Sequence, residues 1–207
     1  MTHFNVAIIV PPGKQEFIEG FVALQMAPYD EDIKVDPYVC YSLEEAAAEI
    51  ENDRKRLERI IERNEPDYDL DRCRQLLKEL GVTTPEAKYR DRIKHHELFN
   101  DRREPLSTYN PKSKWDWYVI GGRWDGWIND REEKGERIDD NMATTEQVIA
   151  CGKIPHAIIT PDGEWHEHGR MGWWAILLTE NEHWEDDARE ILRRYPGHHA
   201  VIVDAHI

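Results

Sequence analysis

The chain has 207 residues, 40% hydrophobic and 33% charged, with a formal net charge of −15 from 42 acidic and 27 basic side chains. That composition fits a folded globular protein with a sizeable core and excludes a disordered chain. The acidic excess argues against general binding to nucleic acid or to an anionic membrane, because neutralising phosphates needs clustered Lys and Arg.

Cys40, Cys73 and Cys151 are far apart and form no CxxC pair, so neither a disulfide framework nor a cysteine zinc site is expected. The first residues, Met1 to Val10, lack the basic start and long apolar run of a signal peptide. No apolar stretch approaches the roughly 20 residues that span a bilayer. A cytoplasmic protein is expected.

Phe4–Val10 is a short apolar run stopped by Pro11, Pro12 and Gly13, which predicts a buried strand. A short helix follows over 14–27, closed by Pro28, and residues 33–41 are extended with Pro37 confining them to an edge. Ser42 and Glu45 form a capping box for a helix over 43–63. Two more helices are predicted, over 69–80 and from Thr84-Pro85 toward Phe99. Residues 42–104 therefore look like an all-helical insertion.

Trp115 to Ile128 holds four of the eight tryptophans around Gly121-Gly122. Two-residue Gly-Gly loops suit type I′ turns, so the run is expected to be a β-hairpin. In that register Trp115, Trp117, Val119, Trp124, Gly126 and Ile128 share an apolar face. Asp116, Tyr118, Ile120, Arg123, Asp125 and Trp127 share the other. Beyond the hairpin come a charged loop, a helical turn over 144–150 and strands at 156–160, 164–168 and 172–179. A helix over 182–194 and a last strand over 199–207 complete the chain. This order fits one domain over 1–207, a ferredoxin-like α+β sandwich of antiparallel sheet with helices on one face, carrying the 42–104 insertion.

Two groups of residues carry chemistry. On the hairpin's polar face, Arg123 offers a planar fork for carboxylate or phosphate, while Tyr118 and Trp127 can stack on a flat ring. Asp116 lies beside them, and Lys112 and Asn110 lie just upstream. This is the expected ligand site, in a segment (105–131) whose net charge is +1 against the acidic whole. The second group comes from the ten histidines. His166 and His168 share one side of a strand with Glu164, and Asp204 and His206 share one side of the last strand. If those strands are neighbours, His166, His168, Asp204 and His206 are a candidate divalent-metal set. His166, Asp204 and His206 are then the candidate catalytic residues, activating water or moving protons on a phosphodiester.

The runs Tyr109 to Trp124, Asp162 to His166, Gly169 to Trp174 and Val203 to Ile207, with Ala27 to Glu31, resemble a family of proteins from bacteriophages and bacterial genomes. The resemblance covers the ends and the tryptophan run but hardly the insertion. It implies a phage or prophage setting and no particular activity. Three readings stay open. One is a cytosolic binder of a small anionic, nucleotide-like ligand that sequesters a host defence signal. The second is a metal- or His-dependent phosphodiesterase. The third is an acidic protein that mimics nucleic acid to inhibit a host factor. A homo-oligomer is compatible with each.

Overall fold

The computed structural model describes residues 2–128, 141–171 and 177–207. The expected strand over 172–179 is therefore described only from Leu177. Trp173, Trp174 and most of the expected charged loop lie outside the described residues. The fold is α+β, and the chain divides into two compact units, residues 1–34 with 109–207 and residues 35–108.

The first unit is built on a six-stranded sheet. In space its main path runs β4 (Trp117–Ile120), β10 (His199–His206), β1 (His3–Val10), β6 (Ala157–Ile159) and β7 (Trp165–Glu167). β5 (Met142–Thr144) pairs with the other end of β10. β1 and β10 are antiparallel from His3↔His206 to Val10↔His199, whereas β1 and β6 are parallel. The sheet is therefore mixed, not purely antiparallel. Gly169–Met171 (β8) and Leu177–Glu180 (β9) form a separate two-stranded ribbon.

Helices cover both faces, which corrects the one-face expectation. Phe4, Val6, Ile8 and Val10 pack with Ile18, Val22 and Met26 of α1 (Ile18–Met26). Ala7, Ile9 and Ile202 pack with Val148 of α5 (Thr145–Cys151) and with Trp184, Ala188, Ile191 and Leu192 of α6 (Trp184–Arg193). The cause is legible in the strands. From Val6 to Val10 every residue is buried, and a central strand covered on both sides needs a continuous apolar run rather than an alternating one. The sheet face that packs on α5 and α6 turns polar at one end, where His3 and Asn5 of β1 meet Asp204 and His206 of β10.

The second unit holds α2 (Leu43–Arg63), α3 (Leu70–Val82) and α4 (Pro85–Ile93). The capping box forms as the sequence predicts: Ser42 Oγ accepts from Glu45 N and Glu45 Oε2 accepts from Ser42 N. Asp69 and Thr84 cap the next two helices. The three helices are the named elements of residues 42–104, and the strands that flank them, β2 (Lys34–Val39) and β3 (Leu106–Tyr109), pair with each other.

The tryptophan run is not a hairpin. Its first half is strand β4, but that strand pairs with β10, in the register Ile120↔Val203 to Trp117↔His206. Its second half is a 3-10 turn, Gly122–Trp124, followed by further turns. Both glycines do take positive φ, 77° and 56°, but they use it to leave the sheet instead of doubling back along it. Strand β10, already paired along its length with β1, gives β4 a partner within the main sheet. The face assignment changes with it. Trp117 is 50% and Val119 38% exposed, while Tyr118 and Ile120 pack against the first cluster.

Candidate functional site

The polar end of the sheet follows from strand geometry. Thr2 and Ile207 exchange both backbone hydrogen bonds, at 3.1 Å each, so the next pair, His3 and His206, is a non-hydrogen-bonded pair with side chains close together. Asn5 and Asp204 form the next pair on the same face. The rings of His3 and His206 have centroids 5.0 Å apart, inclined at 68°.

Each imidazole is held by a carboxylate. His3 Nδ1 lies 2.9 Å from Asp204 Oδ1, and His206 Nδ1 lies 2.6 Å from Asp116 Oδ1. A carboxylate oxygen in such a contact accepts, so Nδ1 donates and Nε2 is the ring nitrogen left to meet a reactant. The two histidines are mostly but not fully covered, at 18% and 14% side-chain exposure, so a small reactant can reach them.

Asp204 is 1% exposed, and a carboxylate so buried needs every partner it has. Its Oδ1 faces His3, and its Oδ2 accepts the backbone N–H of Arg123 at 2.9 Å. Gly122 makes that approach possible. A Cβ there would lie 2.6 Å from both Cβ and Oδ2 of Asp204, and the φ of +56° also favours glycine. The turn after Gly122 is fixed from the other side by Asn141, whose Nδ2 donates to Asp125 at 2.5 Å and whose Oδ1 accepts from Gly126 N at 3.0 Å. The Gly-Gly pair is thus a lid of backbone on the buried aspartate.

The expected ligand platform is not assembled. Tyr118 stands edge-on to Trp115 at 4.8 Å in the first cluster, on the opposite face from Asp204. Burial, with the charge of Asp30, raises its hydroxyl pKa above the ordinary phenol value. Asn110 is a buried clamp whose amide donates to Pro28 O and Asp30 O, both at 2.9 Å, and whose Oδ1 accepts from Lys112 N at 3.0 Å. The Lys112 side chain is exposed. Trp127 packs against the second cluster, and Asp116 serves His206. Arg123 and Lys112 both remain exposed cations, and it is the backbone N–H of Arg123 that meets Asp204.

The expected metal set is also divided. Asp204 and His206 lie on β10, but His166 lies on β7, with β1 and β6 between them. His166 pairs with Ile158 and has Glu164 3.8 Å away, and His168 stands edge-on to His156. Among the described residues, no group of three or more His, Cys, Asp or Glu converges to hold a metal ion. Of the catalytic set, Asp204 and His206 stay together and His166 does not.

Sequence reasoning missed His3 and Asn5. Their signal was present: His3 and Asn5 are the only polar residues in the apolar run His3–Val10, two apart, as Asp204 and His206 are in the last strand. No protein-family model matches the chain, and no curated protein or solved structure matches it significantly.

Proposed function

We propose that the protein is a proton-transfer enzyme that cleaves a phosphoester, with His3 and His206 as its acid–base pair. The observation that carries this reading is the pair of carboxylate-anchored imidazoles with centroids 5.0 Å apart at the open end of one sheet face. Cleaving a P–O bond with water requires a proton to leave the nucleophile and another to reach the departing oxygen. One neutral imidazole accepts the first through Nε2, and the other, protonated, donates the second. Asp204 and Asp116 fix the tautomers and stabilise whichever ring is charged. Arg123 supplies an exposed cation for the phosphoryl charge.

The cytosolic location and the phage or prophage setting belong to this reading as proposals, supported by the absence of a helix long and apolar enough to cross a membrane among the described residues and by the sequence resemblance. The test is turnover of bis(4-nitrophenyl) phosphate and of linear and cyclic nucleotides. His3→Gln and His206→Gln should each lower kcat by about 10²–10⁴-fold, the usual worth of one acid–base group. The pH profile of the wild type should be bell-shaped. Wild-type rates in both variants would refute the reading. Stoichiometric binding without turnover would reassign the site to a sequestering protein.

A further inference from the structure

The first unit has a cleft of about 570 Å³ whose lining reaches Asn5, on the sheet face that carries the histidine pair; that volume is within the range of roughly 300–1,000 Å³ typical of small-molecule pockets. Its walls include Trp124, Trp127 and Trp184, and Asn5, Glu182 and Glu185 also line it. Asn5 ties the cleft to the site above, because it is the ladder partner of Asp204.

Trp124 and Trp127 stand 6.4 Å apart at 79°, so they form two walls rather than a stack. Trp184 is fixed by its Nε1–H donating to Pro155 O at 2.8 Å. The polar groups on this lining are of two kinds. Asn5 spends its Oδ1 on His156 N, at 2.7 Å, which leaves its amide hydrogens as donors. Trp124 Nε1 is shut off from solvent and has no acceptor among the described residues. Glu185 is taken up by Arg189, and Glu182, exposed, is a carboxylate acceptor at the rim, on a lining that also holds His156, His168 and Asn181. Lys153 lies 6.0 Å from the Trp127 ring and donates to Trp127 O at 2.8 Å, so a cation is already placed on that indole. That disfavours an organic cation as the guest and leaves a neutral flat ring.

We infer that the cleft is the subsite for a nucleobase bearing an exocyclic amine, of the adenine or cytosine kind, in the phosphoester cleaved at His3 and His206. This rests on the function proposed above. With the two indoles at 79°, one stacks on the face of the ring and the other meets its edge. Asn5 donates to a ring nitrogen or carbonyl, and Glu182 accepts from the amine. The sugar then spans from the cleft across Asn5 to the histidine pair, where the phosphate lies.

Calorimetric titration with adenosine, inosine and ribose 5-phosphate tests the inference on the wild type and on the His3→Gln/His206→Gln double variant. Adenosine should bind both proteins alike, about tenfold more tightly than inosine, the worth of one charge-assisted hydrogen bond. Glu182→Gln should erase that preference. Trp127→Phe, which keeps a ring in the cluster, should weaken both nucleosides. Equal binding of adenosine and inosine by the wild type overturns the amine assignment. Binding of ribose 5-phosphate but of neither nucleoside overturns the base subsite. Adenosine binding that persists in a protein without phosphoester turnover upholds the cleft while the catalytic reading fails.

Discussion

Gly122→Ala tests the packing of the turn against Asp204. The added methyl would sit 2.6 Å from Asp204 Cβ and Oδ2 and 2.8 Å from Val119 Cγ1, none of them the far end of a flexible chain. Two costs add. An L residue at φ +56° loses about 1 kcal/mol against glycine. Relieving the clash moves the turn off Asp204 and breaks the 2.9 Å bond from Arg123 N, and a hydrogen bond to a charged group is worth about 1.5–3 kcal/mol. The expected loss is about 2.5–4 kcal/mol, or roughly 10 °C in Tm for a chain of this size. Gly152→Ala is the control: it has φ +72° but nothing within 4 Å of the added Cβ, so it should lose only about 1 kcal/mol. Urea denaturation of both variants measures the difference. Equal losses would mean that Gly122 does not hold the chain against Asp204, and the account of how Asp204 is buried would fail.

Asn110→Ala should cost about 2–3 kcal/mol, because it strands the carbonyls of Pro28 and Asp30 while leaving the histidine pair untouched. A loss under about 0.5 kcal/mol in chemical denaturation, within the usual scatter for surface substitutions, would return Asn110 to the list of free ligand-binding groups. His156 gives a pH dependence. Burial, then the nearby charge of His168, lowers its pKa below the ordinary histidine value. The unfolded chain therefore takes up its proton first as pH falls. This contribution to stability is complete above about pH 6.5 and is lost as pH falls from there toward the depressed folded value. His156→Gln should flatten that part of the stability curve, and an unchanged acid limb in pH-dependent melting would refute the assignment.

Much of the local structure was legible in the sequence. The capping box at Ser42, the helix start at Thr84-Pro85, and the apolar runs of β1 and β10 need only near neighbours to act, so the chain states them outright. The positive φ of Gly121 and Gly122 was equally plain. What those glycines do was not. A Gly-Gly pair serves a hairpin and an exit from a sheet equally well, and the choice depends on whether Trp117–Ile120 pairs with its own sequel or with Val203–His206, more than eighty residues away. That pairing turned Tyr118 into the core and Trp117 outward, because a β-strand alternates faces and a different partner sets a different inside.

The same logic governs the candidate site. The sequence by itself determined that polar pairs interrupt two apolar strands, His3 with Asn5 and Asp204 with His206. Only the tertiary structure decided that those strands are antiparallel neighbours, which joins the two pairs at one end of one face. It also put β1 and β6 between Asp204 and His166, which divides the expected metal set. Period-2 alternation assigns a residue to a face from sequence alone. Strand order, which places that face beside another, depends on long-range burial that no local pattern encodes.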